Sequence, residues 1–541
     1  MFDLVIREAT VYDGTGNPGQ RGDVAVAGDR IAAFAPSLEG RGRREIPASG
    51  LALCPGFIDM HSHSDLMVLV EPLAEIKIRQ GVTTEVIGQD GIGPAPVDDE
   101  RVTEWRRFLA GLAGNPFLHW DWRSLAGYLD RLEAACPAVN VATYLPQGNV
   151  RLLVMGIRQA WAGEQDFHNM ERLIDDGMKA GAFGMSTGLI YPPCLFSDEA
   201  ELIRLYRRVA DWGGIMVVHM RNEGNFLLES LEEAIRIAGK AGLPLHISHF
   251  KAGGRSNWDK FAAALARIDR EVDGGMDVTY DQYPYTAAST LLMALLPPWA
   301  LEGGVDATMG RLADRETRRR IARDINGDGP GCGESGSSDG TQPAWDNYVQ
   351  LAGWEGIMIT AVKTPANRQF EGAIVTDAAA QVGKTPAEFV FDLLLEEECA
   401  VSMAAMLGSE ENVRLGLQHR LGMVGTDGLL GGKPHPRVGG SYPRILGRYV
   451  REEGVISLPQ AIRKMTGFPA TRLGLDDRGL IKPGYAADLV LFDPSSVMDR
   501  NTFTEPRLPP LGIRYVLVNG VPVLADGELT GQRAGRVLRK C

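Results

Sequence analysis

His61 and His63 stand two residues apart in the stretch "CPGFIDMHSHSD", Cys54 to Asp65. Successive side chains of a strand point to opposite faces, so the two imidazoles share a face and can reach one object together. Neutral imidazole is the commonest nitrogen donor to zinc, and Asp59 or Asp65 is placed to orient a ring from behind. The chemistry on offer is therefore metal binding and the activation of water. An isolated His-x-His is more often a pair of surface histidines at a loop mouth, so this reading needs further ligands elsewhere in the chain.

The middle of the chain supplies elements to carry them. Short apolar strands alternate there with longer amphipathic segments, the pattern of βα units around a parallel sheet. Eight strand candidates are "GFIDMH", "TTEVIGQD", "VNVATYLPQ", "AFGMSTG", "GIMVVHM", "LPLHISHF", "MDVTYDQYPY" and "LGMVGTDG". Helical stretches such as "LIRLYRRVADW" and "LLESLEEAIRIAGKAG" fall between some of them, with Gly near their ends. Eight such units predict an α/β fold, a (β/α)8 TIM-like barrel. The active face of such a barrel lies at the C-terminal ends of its strands, where residues remote in sequence converge. His61 and His63 close the first strand, Asp90 the second, His219 the fifth, His249 the sixth, Tyr283 the seventh and Asp427 the eighth.

Both ends of the chain read differently, as short alternating strands punctuated by Gly and Asp turns. Residues 1–54 and 471–541 are expected to pair into one small β-sandwich flanking a barrel over 55–470. A long insertion after the seventh strand, about 285–350, is expected to be helical at its start. It is expected to be mobile in the Gly/Ser-rich stretch "NGDGPGCGESGSSDGTQPAW".

Composition narrows the partners. At 541 residues the chain exceeds a usual single core, and 44% hydrophobic with 23% charged residues is ordinary for a globular protein. A net charge of -13 argues against a nucleic-acid partner. The chain has no run of eighteen apolar residues, and it opens on a charged strand pattern rather than a signal peptide, so no membrane partner and a cytoplasmic location are expected. Six cysteines without C-x-x-C spacing signal neither a disulfide framework nor a cysteine zinc cluster.

Taken together, "PGFIDMHSHSD", "GVTTEVIGQDG", "STGLIYPP", "HMRNE", "ISHFKAGG", "DQYPYTAAST", "VGTDG", "HPRVGGSYPRILGRYVREEG" and "GLIKPGYAADLVLFDP" occur in an order that resembles the amidohydrolase superfamily. Within it they resemble the N-acyl-D-amino-acid deacylases, or D-aminoacylases, over nearly the whole chain. The resemblance implies metal ligands at His61 and His63 for one site and at His219 and His249 for a second, with one or two zinc ions. It places a bridging ligand at Asp90, where the family stretch Gly-Asn-Cys-Gly has a cysteine and this chain reads Gly88-Gln89-Asp90-Gly91. A carboxylate is a harder ligand than a thiolate and loosens the preference for zinc towards manganese or cobalt.

The same resemblance makes Asp427 a metal ligand and the general base and acid, and Tyr283 a donor to the developing oxyanion. Without it, Asp427 before Gly reads as a turn aspartate and Tyr283 as a packed aromatic. Arg437 in "HPR" is implied to grip a free carboxylate, helped by Ser289 and Lys251, with Tyr191 lining the side-chain pocket. Cys194 stands where the family has glycine. Leu291 to Leu296 are expected to close over the acyl group. His246 is expected to be structural, and His119, His168 and His419 solvated.

The expected activity is hydrolysis of the amide of small-molecule N-acyl-D-amino acids to a carboxylate and a free D-amino acid. A cyclic amide or imide, a dipeptide or another N-acyl compound is the alternative substrate class, and a barrel scaffold without chemistry the alternative of another kind. A homo-oligomer stays open.

Overall fold

The computed structural model describes residues 1–327 and 345–540. Most of the Gly/Ser-rich stretch expected to be mobile lies outside the described residues.

All eight expected barrel strands are present. They are Phe57–Asp59, Val82–Ile87, Asn140–Thr143 continuing as Leu145–Pro146, Gly184–Gly188, Ile215–His219, Leu245–Ile247, Val278–Gln282 and Gly422–Val424. Each pairs in parallel with its neighbour in chain order. The ring closes between eighth and first strands: the Met60 N–H donates to Val424 O (3.3 Å), the Asp427 N–H donates to His61 O (2.8 Å), and Ser62 bridges Gly428 in parallel. Strands covered on both faces must be apolar throughout, and Ile215–His219 is buried at every position.

The surrounding helices follow the 3.6-residue period. Glu199–Asp211 starts at Asp198, whose side chain accepts the Glu201 N–H, and buries Leu202, Leu205, Tyr206 and Val209 on one face. Leu227–Ala241 buries Leu231, Ala234, Ile235 and Ala238 and stops at Gly242, which takes the left-handed conformation (φ 77°). Burial of each large aliphatic side chain contributes about 1.5–3 kcal/mol, so these faces hold the helices on the barrel.

Strands from both chain ends share one nine-stranded sheet. Ala52–Pro55 runs antiparallel to Leu489–Phe492, joining the start of the chain to its end one residue before the first barrel strand. The sheet has its own core, which includes Leu4, Ile6, Val24, Val26, Leu53, Leu489, Leu491 and Leu517.

The insertion is larger than expected and built differently. Among the described residues the segment between the seventh and eighth barrel strands carries sheet strands past residue 350, Ile357–Ala361 and Ser402–Met406. The chain is back on the barrel by the helix Glu410–Gln418, which packs on Val278–Gln282 and Gly422–Val424. The described start of the insertion is a strand rather than a helix: Ala287–Leu291 pairs antiparallel with Ser402–Met406, which pairs with Ile357–Ala361. Ala287–Leu291 and Ser402–Met406 lie more than a hundred residues apart, so their pairing leaves no local signal in the sequence.

Candidate functional site

The polar residues at the strand ends meet in one buried cluster. His61 Nε2 lies 3.3 Å from His63 Nε2, and Asp427 Oδ1 lies 3.2 Å from His63 Nε2 and 3.7 Å from His61 Nε2. Asp90 stands between the two histidine pairs. Its Oδ1 is 3.6 Å from His61 Nε2 and 3.7 Å from His249 Nε2, and its Oδ2 is 3.4 Å from His63 Nε2 and 3.6 Å from His219 Nδ1. Two sets of convergent donors result, His61, His63, Asp90 and Asp427, and Asp90, His219 and His249, each within 4.8 Å and fully buried.

The backbone is bent to aim these side chains. Asp90 (φ 56°), His249 (φ 34°) and Asp427 (φ 49°) all take the left-handed conformation immediately past their strands. Such residues cost of order 1–3 kcal/mol each and gather at functional sites. Three of them on one cluster mark the strand ends as the place where strain is tolerated for geometry.

The cluster fits divalent metal. The His61 and His63 Nε2 atoms, 3.3 Å apart, are placed so that two neutral rings can turn both lone pairs onto one cation. Both ring nitrogens of His219, His61 Nδ1 and Asp90 Oδ1 are buried without a hydrogen-bond partner, a costly arrangement that a bound cation would relieve. Charge points the same way: among the described residues the four carboxylates Asp90, Glu223, Asp281 and Asp427 gather round the histidines, with Lys251 beside Glu223 and Arg437 beside Asp427 as the Lys and Arg partners. Burial would lower the His61 imidazole, but Asp90, Asp281 and Asp427 outweigh it and raise its pKa well above the ordinary value. Burial would likewise raise Asp90, and His61, His219 and His249 hold it well below the carboxylate range.

The orienting partners differ from those expected. Neither Asp59 nor Asp65 bonds a histidine ring: Asp59 accepts from Lys77 and Thr426, and Asp65 accepts the Gly88 N–H. Glu223 and Asp281 take that position instead. Glu223 Oε1 is 3.1 Å from His249 Nδ1 and 2.7 Å from Lys251 Nζ, and Glu223 Oε2 is 3.7 Å from His219 Nε2. Burial would raise the Glu223 carboxyl, but Lys251, His219 and His249 bring it down to about 2. Asp281 Oδ2 lies 3.6 Å from His61 Nδ1 and 3.0 Å from His246 Nε2, and Asp281 Oδ1 accepts the His249 N–H (3.0 Å). The sequence carried faint signals for both. Glu223 lies four residues past His219 within "HMRNE", and Asp281 shares a strand face with Tyr283.

Arg437 is entirely buried beside this cluster. Its Nη1 is 2.8 Å from Asp427 Oδ2, its Nη2 donates to Ser289 O (2.9 Å), and its Nε has no partner. The guanidinium lies 4.4 Å from the centre of the Tyr283 ring, whose buried hydroxyl also has no partner. Burial raises the Tyr283 pKa against the pull of Lys251 and Arg437, which keeps that hydroxyl protonated. Ser289 does not present its hydroxyl as expected. Its Oγ donates to Met403 O (2.8 Å) because the antiparallel pairing of Ser289 with Ala404 turns it into the small sheet, and its carbonyl faces Arg437 instead. Lys251 is committed to Glu223, and the Tyr191 hydroxyl to Thr290 Oγ1 (2.6 Å), while the Tyr191 ring stands edge-on to His219.

A cavity opens beside Glu223 and Lys251, lined by Ile190, Leu195, Ala294, Leu296, Leu301, Tyr348, Leu351 and Leu407. Of the expected apolar lid, only Ala294 and Leu296 line it, whereas Leu291, Leu292 and Leu295 are core residues. His246 bonds Thr279 and Asp281. His419 is not solvated: it is paired with Asp269 (3.1 Å) and stacked on Tyr280.

Comparison with known proteins agrees with this geometry. The model of the amidohydrolase family matches residues 44–328 and 344–524. An N-acyl-D-glutamate deacylase of Alcaligenes xylosoxydans xylosoxydans is 35% identical over 544 residues, spanning 100% of this chain and 97% of that protein. A D-aminoacylase of the same organism is 34% identical, spanning 100% of this chain and 98% of its own. The crystal structure of an N-acyl-D-glutamate deacylase from Bordetella bronchiseptica, complexed with zinc and a phosphonate mimic of the tetrahedral intermediate, has a TM-score of 0.83 at 33% identity and covers 99% of each chain. With a barrel whose strand ends gather four histidines and two aspartates, and with a family match over most of its length, the chain belongs to the amidohydrolase family.

Proposed function

We propose that this chain is a metal-dependent hydrolase of N-acyl-D-amino acids with apolar side chains, releasing a carboxylate and a free D-amino acid. The position of Asp427 carries the reading. One of its oxygens lies 3.2 Å from His63 Nε2 and the other 2.8 Å from Arg437 Nη1. A proton acceptor thus stands between a metal cage and a cation suited to a carboxylate. An acylated amino acid offers its amide and its α-carboxylate in that relation. Relatives described as N-acyl-D-glutamate deacylase and D-aminoacylase support the D configuration.

His61, His63 and Asp427 would hold one divalent ion and His219 and His249 a second, with Asp90 within reach of both sets. The zinc of the related deacylase supports zinc here, and the hard Asp90 carboxylate extends acceptance to manganese and cobalt. A zinc ion held there would supply Lewis acidity, lowering the pKa of a water and polarising the amide carbonyl. Asp427 takes the proton of the attacking water and returns it to the leaving amine. The unpartnered Tyr283 hydroxyl donates to the oxygen on which charge develops, and the free Nε of Arg437 to the α-carboxylate.

The cavity lining supports an apolar side chain over an acidic one. Among the described residues its cations are spoken for, Arg221 by Glu233 and Lys251 by Glu223. A carboxylate placed there would lie against leucines without a counter-ion, which is strongly unfavourable. The free thiols Cys54, Cys136, Cys194 and Cys399 support a reducing, cytoplasmic compartment. Among the described residues no helix is long and apolar enough to cross a membrane.

The test is amine release from N-acetyl-D-leucine, N-acetyl-D-glutamate and their L enantiomers, with zinc, manganese and cobalt supplied in turn. Turnover of D-leucine well above D-glutamate, with none of either L form, is expected. Equal rates on both enantiomers, or release from no acylated amino acid, would refute the assignment.

A further inference from the structure

Beneath the ligand cluster lies a second buried group of charges that the chemistry above does not use. Lys77, on the short helix Glu75–Ile78, is 1% exposed. Its Nζ donates to Asp59 Oδ2 (2.5 Å), Ser62 Oγ (2.9 Å) and Thr426 Oγ1 (2.9 Å) and lies 3.2 Å from Glu85 Oε2. Glu85 Oε2 also accepts from Ser62 Oγ (2.6 Å) and Ser64 Oγ (2.5 Å). Two carboxylates to one ammonium is an expensive way to fill a core, and apolar residues of the same volume are often as stable or more so.

What the group holds explains its cost. Ser62 sits between His61 and His63, Glu85 is on the second barrel strand, and Thr426 directly precedes Asp427. Asp59 Oδ1 accepts both the His61 N–H (3.3 Å) and the Thr426 N–H (2.8 Å), so one carboxylate fixes the backbone of the first and eighth strand ends against each other. Those ends carry His61, His63 and Asp427, whose 3.2 and 3.7 Å approach is the heart of the site.

We propose that Lys77 is a positioning residue for this reaction: through Asp59, Ser62 and Thr426 it sets the distance between Asp427 and the His61/His63 pair. The inference rests on those three residues being metal ligands. Hydroxyls and a carboxylate that must meet one ammonium have a single arrangement, whereas apolar packing permits neighbouring strand ends to slide. Supports of this kind govern ligand geometry, and their loss costs about 10–100-fold in metal affinity or activity.

The full-length protein loaded with cobalt provides the test, read by its visible absorption spectrum, its cobalt dissociation constant and steady-state kinetics on an N-acetyl-D-amino acid. Lys77→Met strands two buried carboxylates, so Thr426→Val, which removes the hydroxyl that accepts from Lys77 and donates to Asp59 Oδ2 and leaves every charge in place, is measured beside it, with Thr426→Ser as the conservative control. Thr426→Val is expected to alter the cobalt spectrum, to weaken cobalt binding and to lower kcat by about 10–100-fold, with KM little changed. Thr426→Ser is expected to restore all three. A Thr426→Val protein that unfolds more easily yet keeps the wild-type spectrum, affinity and kcat would show a merely structural role and overturn the proposal. A wild-type chain that takes up no cobalt would instead remove the metal assignment, and this inference with it.

Discussion

The strand ends of the barrel and the described part of the insertion between its seventh and eighth strands divide the site between them. Every charged group of the metal cage, from His61 to Asp427, comes from a barrel strand end or the turn after it. The insertion contributes shape: Ala294, Leu296, Leu301, Tyr348, Leu351 and Leu407 line the cavity, and the small antiparallel sheet turns the Ser289 carbonyl towards Arg437. The candidate ligands are thus held by short strands locked in a closed ring, while the cavity wall is shared between barrel turns, through Ile190, Leu195, Glu223 and Lys251, and the insertion. Changes at the first region should cut turnover of all substrates alike, and changes at the second should re-rank them.

Asp427→Asn attacks the first region most directly. Loss of the proton acceptor is expected to lower kcat by about 10²–10⁴-fold on every N-acyl substrate, and a loss confined to one side chain would break the division. Arg437→Ala comes next and should cross it, because the same guanidinium faces Asp427 and the substrate carboxylate. Truncating a buried charge pair costs about 2–5 kcal/mol. That cost should appear in both kcat and KM for an N-acyl-D-amino acid. For its carboxamide analogue it should appear mainly in kcat, and steady-state comparison of the pair decides.

In the second region, Leu351→Arg offers an acidic side chain the counter-ion that the cavity lacks. Pocket discrimination of this kind is worth about 10–200-fold, so kcat/KM should fall to that extent for N-acetyl-D-leucine and rise for N-acetyl-D-glutamate. Parallel falls on both would mean that this cavity does not receive the side chain. Ser289→Ala should do least. Its hydroxyl already serves Met403 O, so kinetics within about twofold of wild type are expected, below the reach of a typical hydrogen bond to a charged ligand.

The two regions were also unequally legible in the sequence. Parallel barrel strands are buried on both faces and so read as apolar runs, and a polar residue closing such a run stands out, as His219 does after "GIMVV". That pattern marks all eight strands and the polar residues that close them, whereas the choice of His249 over His246 comes from the resemblance and Glu223 and Asp281 emerge only in the fold. The pattern did not yield Lys77, because a lysine on a four-residue helix looks like any surface lysine, and only the fold puts Asp59, Glu85 and Thr426 around it. Nor did it yield the insertion. The pairing of Ala287–Leu291 with Ser402–Met406 spans over a hundred residues, and the direction of the Ser289 hydroxyl depends on that register. Asp90 is implied as a bridging ligand by the resemblance alone, at a position where the family has cysteine; the fold places both its oxygens between the two histidine pairs.

A metal held by that cluster is the requirement common to every step proposed above, and one titration tests it directly. The chain is stripped by exhaustive chelation and dialysed, and zinc is added back in steps while bound metal and amine release from N-acetyl-D-leucine are measured on the same samples. Activity is expected to vanish on stripping and to return in proportion to bound zinc, and an Asp90→Ala, His249→Ala double variant is expected to bind less zinc and to stay inactive. Full turnover by the metal-free chain would contradict the account.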